Sequence, residues 1–141
     1  MPPEPERELI CILDDDPSVR DSIEQLLDSD ELRARSFEDA EDFLAHARSH
    51  PVPLALLDVW MSNMNGLKVQ SRLREVSPDT KVIAMTGRET ATIRAAALEG
   101  GAFAFFLKPF ADEAFLSLIR QGLRSATGND IQTRYLTTKM G

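Results

Sequence analysis

This chain of 141 residues has one cysteine, and its first half contains no glycine before residue 66. Its single cysteine, Cys11, can form neither an internal disulfide nor a metal site built from several thiolates. No glycine occurs before Gly66. A dinucleotide-binding domain needs a glycine-rich loop directly after its first strand, so that function is excluded.

Positive charge and long apolar runs are also scarce. The 23 aspartates and glutamates outnumber the 16 lysines and arginines, which leaves a net charge of −7. An acidic chain repels nucleic-acid phosphates and anionic lipids, so we expect neither as a partner of these residues. No apolar run approaches the roughly 18 residues that a membrane helix needs. Residues 1–8 lack the apolar stretch of a secretion signal, and we expect a cytoplasmic protein.

Five short apolar runs follow one another along the chain, and each leads into a polar residue. These polar residues are Asp14, Ser36, Asp58, Thr86 and Lys108, at spacings of 22, 22, 28 and 22 residues. Each interval contains one stretch with apolar residues at helical spacing. Strands that alternate with helices are typical of a parallel sheet covered on both faces. The pattern predicts an α/β domain over residues 9–125, between a disordered segment (1–8) and a polar tail or linker (126–141).

Several helix ends can be predicted from capping residues. Asp16, Ser36 and Asp112 are expected to be the N-caps of the first, second and fifth helices. Gly100 and Gly101 are expected to end the fourth helix. The predicted apolar face of that helix consists of Ala91, Ala95 and Leu98.

The polar residues at the strand ends predict phosphoryl-transfer chemistry. If the strand order is 2-1-3-4-5, Asp58 lies at the centre, between Asp14 and Asp15 on one side and Thr86 and Lys108 on the other. Clustered carboxylates favour a hard divalent cation such as Mg²⁺. A carboxylate beside that ion can attack phosphorus, while an ammonium and a hydroxyl donate to the phosphoryl oxygens.

At these residues the chain resembles the receiver domain of bacterial two-component response regulators. The matching segments run from Ile12 to Arg20, from Leu56 to Gly66, from Val82 to Gly87 and from Phe105 to Phe110. The resemblance covers about residues 8–125. It implies a flavodoxin-like, doubly wound sheet of five parallel strands in the order 2-1-3-4-5, with five helices on its two faces.

The resemblance also implies an acceptor and a metal site. Asp58 corresponds to the phosphoacceptor, and Asp14 and Asp15 to the acidic pair of the family. Asp15, Asp58 and the backbone carbonyl of Trp60 correspond to the direct Mg²⁺ ligands.

Further positions correspond to the family's switching residues. Thr86 and Phe105 resemble the switch pair, and Lys108 resembles the phosphate-contacting lysine, followed by an expected cis bond to Pro109. The implied donor is a sensor histidine kinase or a phosphotransfer protein. Phosphorylation is expected to draw Thr86 inward, with Phe105 following, and to change the face formed by helix 4, strand 5 and helix 5. A receiver homodimer could form through that face.

The chain departs from the family pattern at a few positions. Ser62 stands where the family commonly has proline, and Asn65 precedes Gly66 where an aspartate or serine is frequent. Trp60 and Arg88 occupy positions that influence hydrolysis of the aspartyl phosphate. Both are bulky, and we expect them to shield the phosphoryl group from water and to lengthen its lifetime.

Two other functions remain compatible with parts of the sequence. A phosphohydrolase of the haloacid-dehalogenase type would use Asp14 as its nucleophile. That family also needs an acidic pair on a strand after the lysine, and the only acidic pair there, Asp112 and Glu113, is at a predicted helix start. A receiver-like module without phosphorylation would serve only as a binding surface, which the intact acidic pair, threonine and lysine disfavour. The output is open, since the domain could stand alone or precede an effector domain.

Overall fold

The computed structural model describes residues 10–61, 64–87, 91–108 and 111–124. Five strands form the main sheet: β1 (Ile10–Leu13), β2 (Ala34–Phe37), β3 (Leu54–Asp58), β4 (Lys81–Thr86) and β5 (Ala104–Leu107). Five helices alternate with them: α1 (Pro17–Ser29), α2 (Ala40–Ser49), α3 (Gly66–Val76), α4 (Ala91–Glu99) and α5 (Asp112–Arg124). A short antiparallel ribbon pairs Trp60–Met61 with Met64–Asn65.

All five strands of the main sheet run parallel, in the order β2-β1-β3-β4-β5. This confirms the strand order expected from the sequence. Because the strands are parallel, the carboxyl ends of β1, β3, β4 and β5 meet at one edge of the sheet. None of the helices in the described ranges is long and apolar enough to cross a membrane.

The sheet separates two apolar cores. Ile10 and Ile12 of β1 pack toward α1 and α5. Cys11 and Leu13, which alternate with them, pack toward α2, α3 and α4. Burial on both faces explains why the strands read as continuous apolar runs rather than as alternating patterns.

The first two helix caps show one prediction confirmed and one corrected. Asp16 caps α1, since its carboxylate accepts hydrogen bonds from the backbone N–H and the hydroxyl of Ser18, both at 2.9 Å. The cap of α2 is Asp39, whose carboxylate accepts from Asp42 N–H at 3.2 Å, and not Ser36. Strand β2 continues to Phe37, so Ser36 lies within the strand and donates its hydroxyl to the Glu24 carboxylate.

Helix α5 begins at Asp112 itself, so this residue lies in the first turn rather than before it. Its carboxylate there still faces the positive end of the helix dipole.

Helix α4 ends as predicted but buries a different face. Gly101 adopts a φ of +102°, and its N–H and that of Ala102 donate to the carbonyls of Leu98 and Ala97 at 3.0 and 3.1 Å. This double hydrogen bond closes the helix end. The buried residues are Ile93 and Ala97. Of the predicted face, Leu98 is partly buried against the core, whereas Ala91 and Ala95 are exposed.

Candidate functional site

The ends of the adjacent strands β1 and β3 bring three carboxylates together. Asp58 is the last residue of β3, and Asp14 follows β1 directly. Their side chains are buried, with relative exposures of 3% and 0% for the two residues. Asp15 is half-buried beside them. One carboxylate oxygen from each of the three lies within 4.8 Å of the others.

Lys108 places an ammonium group between two of these carboxylates. Its Nζ lies 3.0 Å from Asp14 Oδ2 and 3.2 Å from Asp58 Oδ2. Its backbone N–H donates to the Thr86 carbonyl at 2.7 Å, which ties Lys108 to the end of β4. Burial by itself lowers the pKa of Lys108, but the negative charge of Asp58 and the hydrogen bond and charge of Asp14 raise it by more. The side chain therefore stays protonated at neutral pH.

The negative charge of the site suits a divalent cation. When all groups are ionised, the three carboxylates and one ammonium leave a charge of −2. Mg²⁺ prefers carboxylate oxygens and commonly uses one or two of them, with water and phosphate completing its shell. The three aspartates fit that preference. Trp60, the expected carbonyl ligand, follows Asp58 by two residues and lies in the ribbon.

The Asp14 loop is held by contacts that the sequence pattern did not identify. The N–H of Asp16 donates to Asp14 Oδ1 at 3.0 Å, so both carboxylate oxygens of Asp14 are engaged. Arg20 Nη1 donates to the Asp14 carbonyl at 2.6 Å from the first turns of α1. In the sequence, Arg20 was marked only by its position at the end of a segment that matches the family.

Gly66 lets α3 approach the backbone beside Asp58. A Cβ at Gly66 would lie 2.3 Å from the Asp58 carbonyl oxygen and 2.4 Å from Val59 Cα, which is far inside van der Waals contact. Asn65 caps the same helix, since its Oδ1 accepts from the N–H groups of Leu67 and Lys68 at 3.0 and 3.3 Å. Asparagine thus performs the capping that the family's aspartate or serine would perform at this position.

Thr86 and Phe105 lie on neighbouring strands, β4 and β5. Thr86 is fully buried at the end of β4. Phe105 is also buried, with a relative exposure of 7%, in the core beneath α2, α3 and α4. Ser62, Arg88 and Pro109 lie outside the described residues, as does the side chain of Trp60. The expected cis bond at Pro109 and the shielding by Trp60 and Arg88 therefore stay predictions.

Comparison with known proteins identifies the family. The family model of the response regulator receiver domain matches residues 10–120. The response regulator protein TmoT of Ectopseudomonas mendocina is 35% identical over 118 residues, covering 84% of this chain and 54% of that protein. The chain thus spans about half the length of the curated relatives that it matches.

Solved structures agree with this assignment. A CheY-like receiver domain of Methanospirillum hungatei has a TM-score of 0.79 at 27% identity, covering 84% of this chain and 95% of that one. The beryllofluoride-activated NtrC4 receiver domain, solved as a dimer, has a TM-score of 0.79 at 26% identity, covering 84% and 98%. The family match over most of the chain, the strand order and the clustered carboxylates lead to one conclusion: this chain belongs to the receiver domain family of two-component response regulators.

Proposed function

We propose that this receiver domain accepts a phosphoryl group on Asp58, with Mg²⁺ held by Asp14, Asp15 and Asp58 and by the Trp60 carbonyl. The observation that carries the proposal is the Lys108 ammonium, which lies within hydrogen-bond distance of two buried carboxylates whose oxygens are close enough to share a cation. An ammonium in this position offsets part of the negative charge of the carboxylates and can donate to the oxygens of an added phosphoryl group.

The proposed reaction is an in-line displacement at phosphorus. An Asp58 carboxylate oxygen forms the new O–P bond while the bond from phosphorus to the donor's histidine nitrogen breaks, and that nitrogen leaves with its electron pair. Bound Mg²⁺ supplies charge neutralisation at the phosphoryl oxygens. Lys108 then transfers its hydrogen bond from Asp58 to a phosphoryl oxygen, and the Thr86 hydroxyl donates to another. Asp14 keeps the ammonium in place throughout.

The phosphoryl donor we propose is a sensor histidine kinase or a phosphotransfer protein. A groove of about 470 Å³ lies between α1 and the start of α5, and Lys108 forms part of its wall. Its apolar lining includes Val19, Ile23 and Leu26, and its polar rim includes Asp16 and Asp112. An amphipathic helix of the donor would bury its apolar face there and present its histidine toward Asp58.

The output we propose is a change in the face formed by α4, β5 and α5. This face exposes apolar groups before any modification, including Leu107 at 39% relative exposure and the side chains of Ala91 and Ala95. Such a surface suits a partner that is gained or lost on phosphorylation, and a second receiver is one such partner. We propose a cytoplasmic location, in which the single buried Cys11 stays reduced.

Intact-mass spectrometry after incubation with Mg²⁺ and acetyl phosphate tests the acceptor. We expect one added phosphoryl group in the wild type and in Asp28→Asn, a control at an exposed carboxylate of α1, and none in Asp58→Asn. Label retained in Asp58→Asn but lost in Asp14→Asn would instead support the phosphohydrolase mechanism. No label in the wild type, with the donor shown to be active, would support a receiver-like binding module.

A further inference from the structure

Helix α4 is fastened to α3 at its C-terminal end. Gln70 of α3, which is buried, donates from Nε2 to the Ala97 carbonyl at 2.8 Å. Arg74, one turn later, donates from Nη1 to the Gly100 carbonyl at 3.1 Å. A Cβ at Gly100 would lie 3.0 Å from Gln70 Nε2, so the close contact depends on glycine there. The C-terminal end of α4 therefore has fixed partners on α3.

The middle of α4 contacts a different element through Arg94. The guanidinium carbon of Arg94 lies 5.4 Å from the centroid of the Phe105 ring on β5. The Nε of Arg94 is buried, so the side chain lies against the protein rather than extending into solvent. A guanidinium within about 6 Å of a ring centroid is attracted to the negative face of the ring. Arg94 thus connects α4 to Phe105.

Phe105 shares one face of the sheet with Thr86. Phe105 pairs with Ala84, and Leu107 pairs with Thr86. Because side chains two residues apart on a strand point to the same face, Ala84, Thr86 and Phe105 all face the core beneath α4. Any movement of Thr86 toward Asp58 changes the space beside a ring that is already buried.

We propose that Arg94 is a positioning residue of the switch: its guanidinium holds Phe105 in the buried position before phosphorylation and couples α4 to the ring. This inference rests on the proposed function of Asp58 and Thr86. The ring does not have to enter the core when Thr86 moves, because it is there from the start. Arg94 therefore favours the arrangement that accepts the phosphoryl group, and α4 follows any change at Phe105.

Two measurements on the full chain test this proposal. NMR reports the environment of the Phe105 ring, and a kinetic assay gives the rate at which acetyl phosphate phosphorylates the protein in the presence of Mg²⁺. The variants are Arg94→Gln, Arg94→Lys and the matched control Arg72→Gln, an exposed arginine of α3 that pairs with Glu41. Phe105→Leu assigns the ring signals. In Arg94→Gln we expect the ring signals to shift toward those of an exposed phenylalanine and phosphorylation to slow about three- to tenfold, the range that a partly buried cation–π contact supplies.

The remaining variants separate positioning from general destabilisation. Arg94→Lys keeps the cation and should retain part of the rate, while Arg72→Gln should match the wild type in both measurements. Unchanged ring signals in Arg94→Gln, or an unchanged or faster rate, would overturn the proposal. A wild type that accepts no phosphoryl group would overturn the proposed function and the switching role with it, while the ring signals would still show whether Arg94 holds Phe105.

Discussion

A single ammonium group, that of Lys108, lies within ion-pair distance of two buried carboxylates, those of Asp14 and Asp58. Removing it would take this cation away from two buried carboxylates, and the loss of one partner of a buried ion pair is strongly destabilising. The same contacts raise the pKa of Lys108 in the folded chain above its value in the unfolded chain. Lys108 therefore makes the stability of the domain depend on pH in the alkaline range.

High pH should remove the contribution of Lys108 to stability. Although burial lowers its pKa, the charges and hydrogen bonds of Asp58 and Asp14 raise it above the unfolded value of about 10.4. The stabilisation is thus complete below that value and is lost as the pH rises through the higher pKa of the folded state. Urea unfolding from pH 7 to about 11.5 should show a fall in the wild-type midpoint above about pH 10 that Lys108→Met lacks.

The matched control for this experiment is Lys68→Met, which removes an exposed lysine from α3. Its midpoint should follow the wild type at every pH. Parallel pH profiles for Lys108→Met and the wild type would show that the lysine pairs with the carboxylates without stabilising the fold.

Gly66 should be intolerant of even one added carbon. The Cβ of Gly66→Ala would collide with the backbone of Asp58 and Val59, so α3 or β3 must shift. Overpacking of this kind costs about 1–3 kcal/mol, and we expect a loss in that range by urea unfolding. At Gly87 the one atom of the described residues within 4 Å of a Cβ is Lys108 Cε, at 4.0 Å, so Gly87→Ala should leave the free energy of unfolding nearly unchanged. Equal effects of the two variants would refute the steric argument.

At the scale of elements, Asn65 determines how α3 begins. Its Oδ1 accepts from two backbone N–H groups that have no partner within the helix. Asn65→Ala should lose about 1 kcal/mol of unfolding free energy by chemical denaturation, whereas Asn65→Asp should lose little, since a carboxylate caps equally well. A large loss in Asn65→Asp would indicate that the amide has a role besides capping.

The elements also show where sequence patterns suffice and where they do not. The strands could be predicted because their apolar runs are long and buried on both faces. The face of α4 could not, since alanines occur on every side of this helix and the hydropathy pattern has little contrast. The α2 cap was ambiguous because Ser36 and Asp39, three residues apart, are both good capping residues.

The side-chain contacts around the site could be predicted less well than the grouping of its charged residues. The grouping of Asp14, Asp15, Asp58 and Lys108 followed from the rule that parallel strands end at one edge. The hydrogen bond from Arg20 to the Asp14 backbone and the contact between Arg94 and Phe105 follow from side-chain directions. These directions depend on packing between elements and leave no periodic signal in the sequence.

At the scale of the whole molecule, a cation at the carboxylate cluster should stabilise the fold. A ligand that binds only the folded chain adds about 1.4 kcal/mol of unfolding free energy at ten times its Kd. We expect MgCl₂ to raise the urea midpoint of the wild type above its value in NaCl of equal ionic strength. Asp15→Asn, which removes the half-buried carboxylate of the cluster, should lose most of this difference. An identical rise in both proteins would mean that Mg²⁺ stabilises the fold without using the Asp15 carboxylate.

The strand order has a consequence for the sequence of events during synthesis of the chain on a ribosome. The sheet grows at one side after β3, so Asp14, Asp15 and Asp58 are all made before β4, and Lys108 comes only after β5. A nascent chain that has just completed β3 carries Asp14 and Asp58 without Lys108, the cation that pairs with both. When β5 forms hydrogen bonds with the unpaired side of β4, the same step brings Lys108 to the carboxylates. The strand of this sheet that is synthesised last is therefore also the one that stabilises the carboxylates at the strand ends.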